Sequence, residues 1–219
     1  MIETRNVTYS YDGKKPVLKN ISVQFEMGKM YAILGPSGCG KTTLLSLLGG
    51  LDSPSGGQVL FDGQDIETLG LSVHRQKNVA FIFQNYNLID YLTPRENVAL
   101  TSRKAPEKLR KSRHSSEISP QVVLTRLGLT EEESRRNVLK LSGGQQQRVA
   151  IARALASDAN AILADEPTGN LDEHTAVEIT SILKECAHQM NRCVIIVTHS
   201  GELAKQADMV FHLKNGELA

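Results

Sequence analysis

The chain lacks the marks of several protein classes. It has three cysteines, Cys39, Cys186 and Cys193, an odd count with no framework spacing. That argues against a disulfide-stapled scaffold and for a reducing cytoplasm. No run approaches the ~20 apolar residues that a bilayer crossing needs. Residues 1–5 do not read as a signal peptide. Any membrane association is therefore expected to run through a partner. The net charge of +1 supplies no global basic field to attract nucleic acid, and there is no acidic tail. No internal repeat or low-complexity tract appears. At 219 residues the chain is long enough to bury a sizeable core and fits one domain with room for subdomains.

One stretch organises the rest. Gly35-Pro36-Ser37-Gly38-Cys39-Gly40-Lys41-Thr42 reads G-x-x-x-x-G-K-T, the phosphate-binding loop pattern. The apolar run Met30-Tyr31-Ala32-Ile33-Leu34 before it reads as a buried strand, and residues 43–48 after it read as a helix start. A strand, a glycine loop and a helix place backbone N–H groups and the positive end of a helix dipole around one anion. Lys41 would reach the β- and γ-phosphates, and the Thr42 hydroxyl would ligate Mg²⁺.

Before the loop, residues 6–11 and 17–25 alternate as two antiparallel strands around the turn Asp12-Gly13-Lys14-Lys15-Pro16. Tyr11 is open to two readings, a stacking surface for a base or a cross-strand packing aromatic. After the loop, the helix is expected to stop near Gly49-Gly50. Residues 58–63 read as a strand with a turn, and residues 79–83 as an apolar run ending at Gln84.

From Thr93 to about Leu139 the character becomes helical. Thr93-Pro94-Arg95-Glu96 has a cap, a proline at N1 and a glutamate at N3. Residues 121–129 read as a short amphipathic helix with a glycine stop. Residues 102–119 are basic and poor in apolar side chains, a solvated surface or an approach to anionic lipid or a membrane partner. Ser142 then stands as N-cap of a helix through Ala156, and Gly143-Gly144 leave its first N–H groups uncovered.

Residues 159–164 form an apolar run ending in Asp165-Glu166. Two carboxylates at a buried strand end, beside a phosphate loop, suggest a metal and a water. Asp165 would hold Mg²⁺ and Glu166 would polarise the attacking water. Alternation along a strand would keep the two apart. A helix over about 173–190 follows, then the apolar strand 193–198 ending at His199, a short helix over 201–207 and a C-terminal hairpin. Four apolar runs thus end in polar chemistry: the phosphate loop, Gln84, Asp165-Glu166 and His199. As parallel neighbours they would meet at one γ-phosphate, because ligands of open α/β sheets bind at the carboxyl edge. The Ser142 helix end does not share that edge, so a phosphate bound there would belong to a second molecule.

In these motifs the chain resembles the nucleotide-binding subunit of ABC transporters. Residues 35–42 match Walker A, Gln84 the Q-loop, Leu141-Ser142-Gly143-Gly144-Gln145 the signature, Ile162 to Asp165 Walker B, Asn170-Leu171-Asp172 the D-loop and His199 the switch histidine. The resemblance implies an α/β fold: a P-loop NTPase core with a mostly parallel sheet, an N-terminal antiparallel β subdomain and an inserted helical subdomain over about 85–141, all within one ATPase domain. It implies ATP and Mg²⁺ as ligands, with Glu166, His199 and Lys41 catalytic. ATP would contact Tyr11, residues 35–42, Thr43 and Gln84, and Mg²⁺ would meet Thr42, Gln84 and Asp165. Residues 141–145 and Asp172 would complete the site of a second chain, giving a homodimer on ATP binding. The implied partner is a membrane permease with a large extracellular domain, met at the cytoplasmic face, with no nucleic acid. The stretch 164–172 is similar to macrolide exporters, lipoprotein-releasing complexes and the cell-division ATPase; residues 81–90 resemble bacitracin-resistance members. The competing class is a soluble ABC ATPase acting on DNA or ribosomes, disfavoured by the short spacing between Walker A and signature and by the single domain. Ser200 stands where the family has an aspartate.

Overall fold

Four apolar runs of the sequence become neighbouring parallel strands. A computed structural model describes residues 1–101 and 119–219; all but the last residue of the basic stretch 102–119 lies outside the described residues. Close packing divides them into two units. One holds Met1–Gln84, Ala159–Gly169 and Glu173–Ala219, the other Asn85–Asp158 and Asn170–Asp172.

The first unit carries two sheets. In one, β1 (Ile2–Tyr9) lies between β2 (Leu18–Phe25) and β4 (Gly56–Phe61), and β5 (Gln64–Asp65) closes the far edge, all antiparallel. The pairing slips between Thr4 and Val7, around Asn6 in a left-handed conformation with φ 50°. In the other, β3 (Met30–Leu34), β8 (Cys193–Thr198), β7 (Ala161–Asp165) and β6 (Val79–Ile82) are parallel neighbours in that order. β9 (Met209–Lys214) joins β3 in parallel, and the short β10 (Glu217–Leu218) turns back antiparallel. The central strands β7 and β8 read as unbroken apolar runs because both faces are covered. Helix α1 (Lys41–Leu48) sends Leu44, Leu47 and Leu48 into the core shared with Phe25, Tyr31 and Leu163. Helix α8 (Glu173–His188) covers the sheet with Ile179, Leu183 and Cys186.

Several boundaries differ from the sequence reading. β1 ends at Tyr9, two residues short of Tyr11. There the Asp12 carboxylate accepts from the N–H groups of Lys14 and Lys15 at 2.9 and 3.2 Å, and the Ser10 hydroxyl donates to the Lys15 carbonyl at 2.9 Å. These local bonds pull the chain into a turn. Helices α2 (Ile66–Leu69) and α3 (Leu71–Lys77) were not anticipated. The second of them is held by buried His74, whose Nε2 lies 3.0 Å from the Leu48 carbonyl; burial lowers its pKa. Helix α9 stops at Ala204 rather than Ala207.

The second unit is helical. Helices α4 (Pro94–Ala99), α6 (Glu131–Arg135) and α7 (Gly143–Leu155) each begin with a reciprocal capping box, Thr93 with Glu96, Thr130 with Glu133 and Ser142 with Gln145. α5 (Pro120–Arg126) starts on its proline, and Leu127 and Leu129 beyond it are buried. The fully buried Asn97 amide bonds the Ile89 N–H and carbonyl at 2.8 and 3.2 Å, which pins the segment after Gln84. α6 had no signal in the sequence reading. Its capping box lies beyond the Gly128 stop, and five residues are too few to show a hydrophobic period.

Candidate nucleotide site

The loop between β3 and α1 opens on Gly40, the helix N-cap, with φ 104°. No side chain caps α1, so its first N–H groups are left for a ligand. Lys41 is 8% exposed, and its ammonium donates to the carbonyls of Gly35 at 2.7 Å and Pro36 at 3.1 Å. An open cleft of about 680 Å³ borders residues 36–39 and is lined by Lys15, Val17, Lys19 and Asn215 as well. The sequence reading had not associated these four with the loop: it placed Lys15 in the turn at residues 12–16, Val17 and Lys19 in the following strand and Asn215 in the C-terminal hairpin.

The Thr42 hydroxyl lies near the Asp165 carboxylate at the end of β7. Burial raises the Asp165 pKa above its ordinary 3.8, and the Glu166 charge adds to the rise, while the Thr42 hydroxyl and Lys41 oppose it. A hydroxyl and a partly desolvated carboxylate side by side make an oxygen donor pair, the chemistry that Mg²⁺ takes when substrate phosphates supply the remaining ligands. Among the described residues no group of three or more His, Cys, Asp or Glu is arranged for a metal.

Glu166 departs from the sequence reading. It is not kept from Asp165 by strand alternation, because β7 ends at Asp165 and Glu166 adopts φ 45°. Its N–H donates to the Val197 carbonyl of β8 at 2.9 Å. The left-handed turn carries the side chain to the end of the neighbouring strand. One carboxylate oxygen accepts from the Thr198 hydroxyl at 2.9 Å, and the other meets His199 Nδ1 at 2.8 Å. A carboxylate only accepts, so Nδ1 carries the proton and Nε2 is left on an imidazole that is 67% exposed. Strain of this kind is stored where surroundings over-determine it, commonly at functional sites. Thr198 was missed from the sequence, though it stands next to His199 at the same strand end. Ser200 takes the family aspartate's place as a cap: its hydroxyl accepts from Leu203 N–H at 3.3 Å and starts α9 (Gly201–Ala204).

Gln84 lies exposed just beyond β6. Tyr11 stands beside α1. It lies beyond β1, its ring is 72% exposed, and its hydroxyl bonds Thr43 Oγ1 in the first turn of α1 at 2.7 Å. Its ring packs on that of Tyr9 at the end of β1, and its hydroxyl end lies next to the phosphate loop.

In the helical unit, the Ser142 hydroxyl accepts from Gln145 N–H at 3.3 Å, and the Gln145 amide donates to Glu133 at 2.7 Å. The cap thus engages one N–H of α7, at its third residue, and the N–H groups of Gly143 and Gly144 are left without a side-chain cap, as the sequence reading expects. A Cβ at Gly143 would lie 3.0 Å from the Tyr86 hydroxyl. Arg153 near the other end of α7 donates to the carbonyls of Tyr86 and Asn87, both in left-handed conformations. Leu141 is buried, and Asp172 is exposed before α8.

The family model described as ABC transporter matches residues 18–169. The chain is 42% identical over 217 residues to a Bacillus subtilis protein named uncharacterized ABC transporter ATP-binding protein YclH, covering 99% of this chain and 94% of the relative. It is 46% identical over 205 residues to macrolide export ATP-binding/permease protein MacB 2 of Aeromonas hydrophila, covering 92% of this chain but 31% of that one; the chain spans about a third of the MacB length. The dimeric structure of MJ0796, a bacterial ABC transporter cassette, superposes with TM-score 0.86 and 37% identity over 100% of this chain and 96% of that one. A second MJ0796 structure is a dimeric post-hydrolysis state bound to ADP and Pi. With an α/β fold, a phosphate loop and a Glu–His pair at one sheet edge, the chain belongs to the ABC transporter family, as an ATP-binding and ATP-hydrolysing subunit.

Proposed function

We propose that two copies of the chain close on two ATP molecules, and that this closure drives a separate membrane permease. The observation that carries the reading is the edge itself. β3, β8, β7 and β6 are adjacent and parallel, so Lys41, His199, Glu166, Asp165 and Gln84 leave the same ends of neighbouring strands. Residues 35–43 and Tyr11 of one chain hold each nucleotide. Residues 141–145 and Asp172 of the other chain complete the site. Lys41 meets the charge that develops on the γ-phosphate. Glu166 takes a proton from the attacking water on a lone pair that its bonds to Thr198 and His199 leave free. His199 then donates to the γ-phosphate from Nε2, which requires a proton on that nitrogen as well as on Nδ1. Thr42 and Asp165, with Gln84, hold Mg²⁺, which when bound neutralises phosphate charge. The whole of 1–219 acts as one ATPase domain, its helical part carrying the signature.

Asp165 separates metal binding from folding. Its folded pKa lies above the unfolded one, so ionisation costs stability at every pH above the ordinary aspartate range. Asp165→Asn is therefore expected to leave the fold at least as stable at pH 7, read from the urea midpoint. The same variant is expected to lose Mg²⁺-dependent turnover.

The partner is proposed as a permease with a large extracellular domain, met at the cytoplasmic face, and the cargo as an antimicrobial peptide, a drug or a lipoprotein. MacB relatives, named ATP-binding/permease proteins, motivate this. Tagged Glu166→Gln chain, recovered from native membranes with ATP, is expected to bring down an integral membrane protein. Recovery of DNA or ribosomes alone would overturn the transporter reading.

A further inference from the structure

Tyr11 offers its face to solvent, but its angle is set from behind. Its hydroxyl bond to Thr43 fixes only the tip of the ring. Behind it lies Tyr9, the two rings perpendicular with centroids 5.0 Å apart. Tyr9 is 7% exposed, and its own hydroxyl donates to the Asp52 carboxylate. That bond, with burial, pushes the Tyr9 phenol up to about 12, so it stays protonated as the donor. Asp52 is held in turn, since its other oxygen accepts from Ser53 N–H at 2.9 Å. The same loop is bonded to the end of β1 twice more. Ser55 N–H donates to the Thr8 carbonyl at 2.9 Å, and the Ser55 hydroxyl accepts from Ser10 N–H at 3.1 Å.

The geometry surrounds α1. Thr43 lies in its first turn, and Asp52 lies three residues past its C-cap, Gly49. At 1.5 Å per residue the helix is about 12 Å long. Two tyrosines two positions apart thus hold the two ends of the helix that begins at the phosphate loop. The Tyr9–Asp52 bond itself involves none of residues 35–43.

We propose that Tyr9 and Asp52 are positioning residues for the nucleotide base: their hydrogen bond seats the Tyr9 ring, and that ring sets the tilt of the Tyr11 face on which the base stacks. The inference rests on the reading of Tyr11 as the base platform. It confines the effect of the pair to ligands that carry a base.

The test compares ADP with inorganic pyrophosphate, by titration calorimetry on the full chain. Tyr9→Phe and Asp52→Ala are each expected to weaken ADP about threefold, and Tyr9→Leu about fivefold, the scale of an aromatic edge contact. The Tyr9→Phe/Asp52→Ala double variant is expected to be no worse than either single one, because both remove one bond. Asp52→Asn keeps an acceptor oxygen and is expected to restore most of the affinity. Pyrophosphate binding stays the same throughout and reports an intact loop. Parallel weakening of ADP and pyrophosphate would show a merely structural role and overturn the inference. So would unchanged ADP affinity in the Tyr9 and Asp52 variants while Tyr11→Ala weakens ADP, and there the platform would stand. Unchanged ADP affinity in Tyr11→Ala would remove the platform itself, and the inference with it.

Discussion

Replacing Glu166 with glutamine is expected to lower ATP turnover at least about a hundredfold, the scale of a lost general base, while the protein still folds and still binds ATP. The local geometry makes this a clean substitution. Glutamine has nearly the same shape. Its amide oxygen accepts from one neighbour, and its NH₂ group donates to the other. Thr198 can rotate its hydroxyl to receive that bond, or His199 can present the other tautomer. What the amide cannot do is take a proton from water. With hydrolysis blocked, the ATP-bound pair of chains has no route to open, so the same variant is expected to accumulate as a dimer. Steady-state phosphate release and a melting curve check the two halves of this expectation. Turnover within a few fold of the parent would show that another group is the base.

Lys41→Ala is expected to weaken ATP binding about 10- to 100-fold, since hydrogen bonds to charged groups contribute about 1.5–3 kcal/mol each, and to abolish measurable turnover at ordinary ATP concentrations. The ammonium is buried against the Gly35 and Pro36 carbonyls, so it is held within the loop rather than waving in solvent. Pro36 itself is exposed; water can replace the lost donor there, and stability is expected to change little. Arginine is not expected to substitute, because its planar fork does not fit where a single ammonium bridges two carbonyls. Equilibrium binding of a fluorescent ATP analogue reads the affinity, and a urea titration reads the fold.

Which of these features the sequence made legible follows from their physical range. The strand ends were visible because each is an apolar run stopped by polar residues, and such runs form parallel strands buried on both faces. Ser142 was visible as a cap because capping is local and spans three residues. Glu166 was visible as an acid after Asp165, but its conformation was not. The φ of 45° follows from bonds to Val197, Thr198 and His199, more than thirty positions away. The Tyr9–Asp52 bond is likewise invisible, spanning 43 positions. Helices α2, α3 and α6 have four to seven residues each, too short to propagate alone, and they form where packing and caps hold them.

In the proposed mechanism the phosphate loop at residues 35–42 is half of a site completed by a second chain. Sedimentation equilibrium of the Glu166→Gln chain tests it most directly. Without nucleotide or with ADP, the predicted mass is that of one 24.0 kDa chain. With Mg-ATP it is predicted to double, with two ATP bound per pair, and adding Ser142→Arg is predicted to return it to one chain. A mass that stays at one chain under saturating Mg-ATP, or a pair that forms as readily with Ser142→Arg, would contradict the claim.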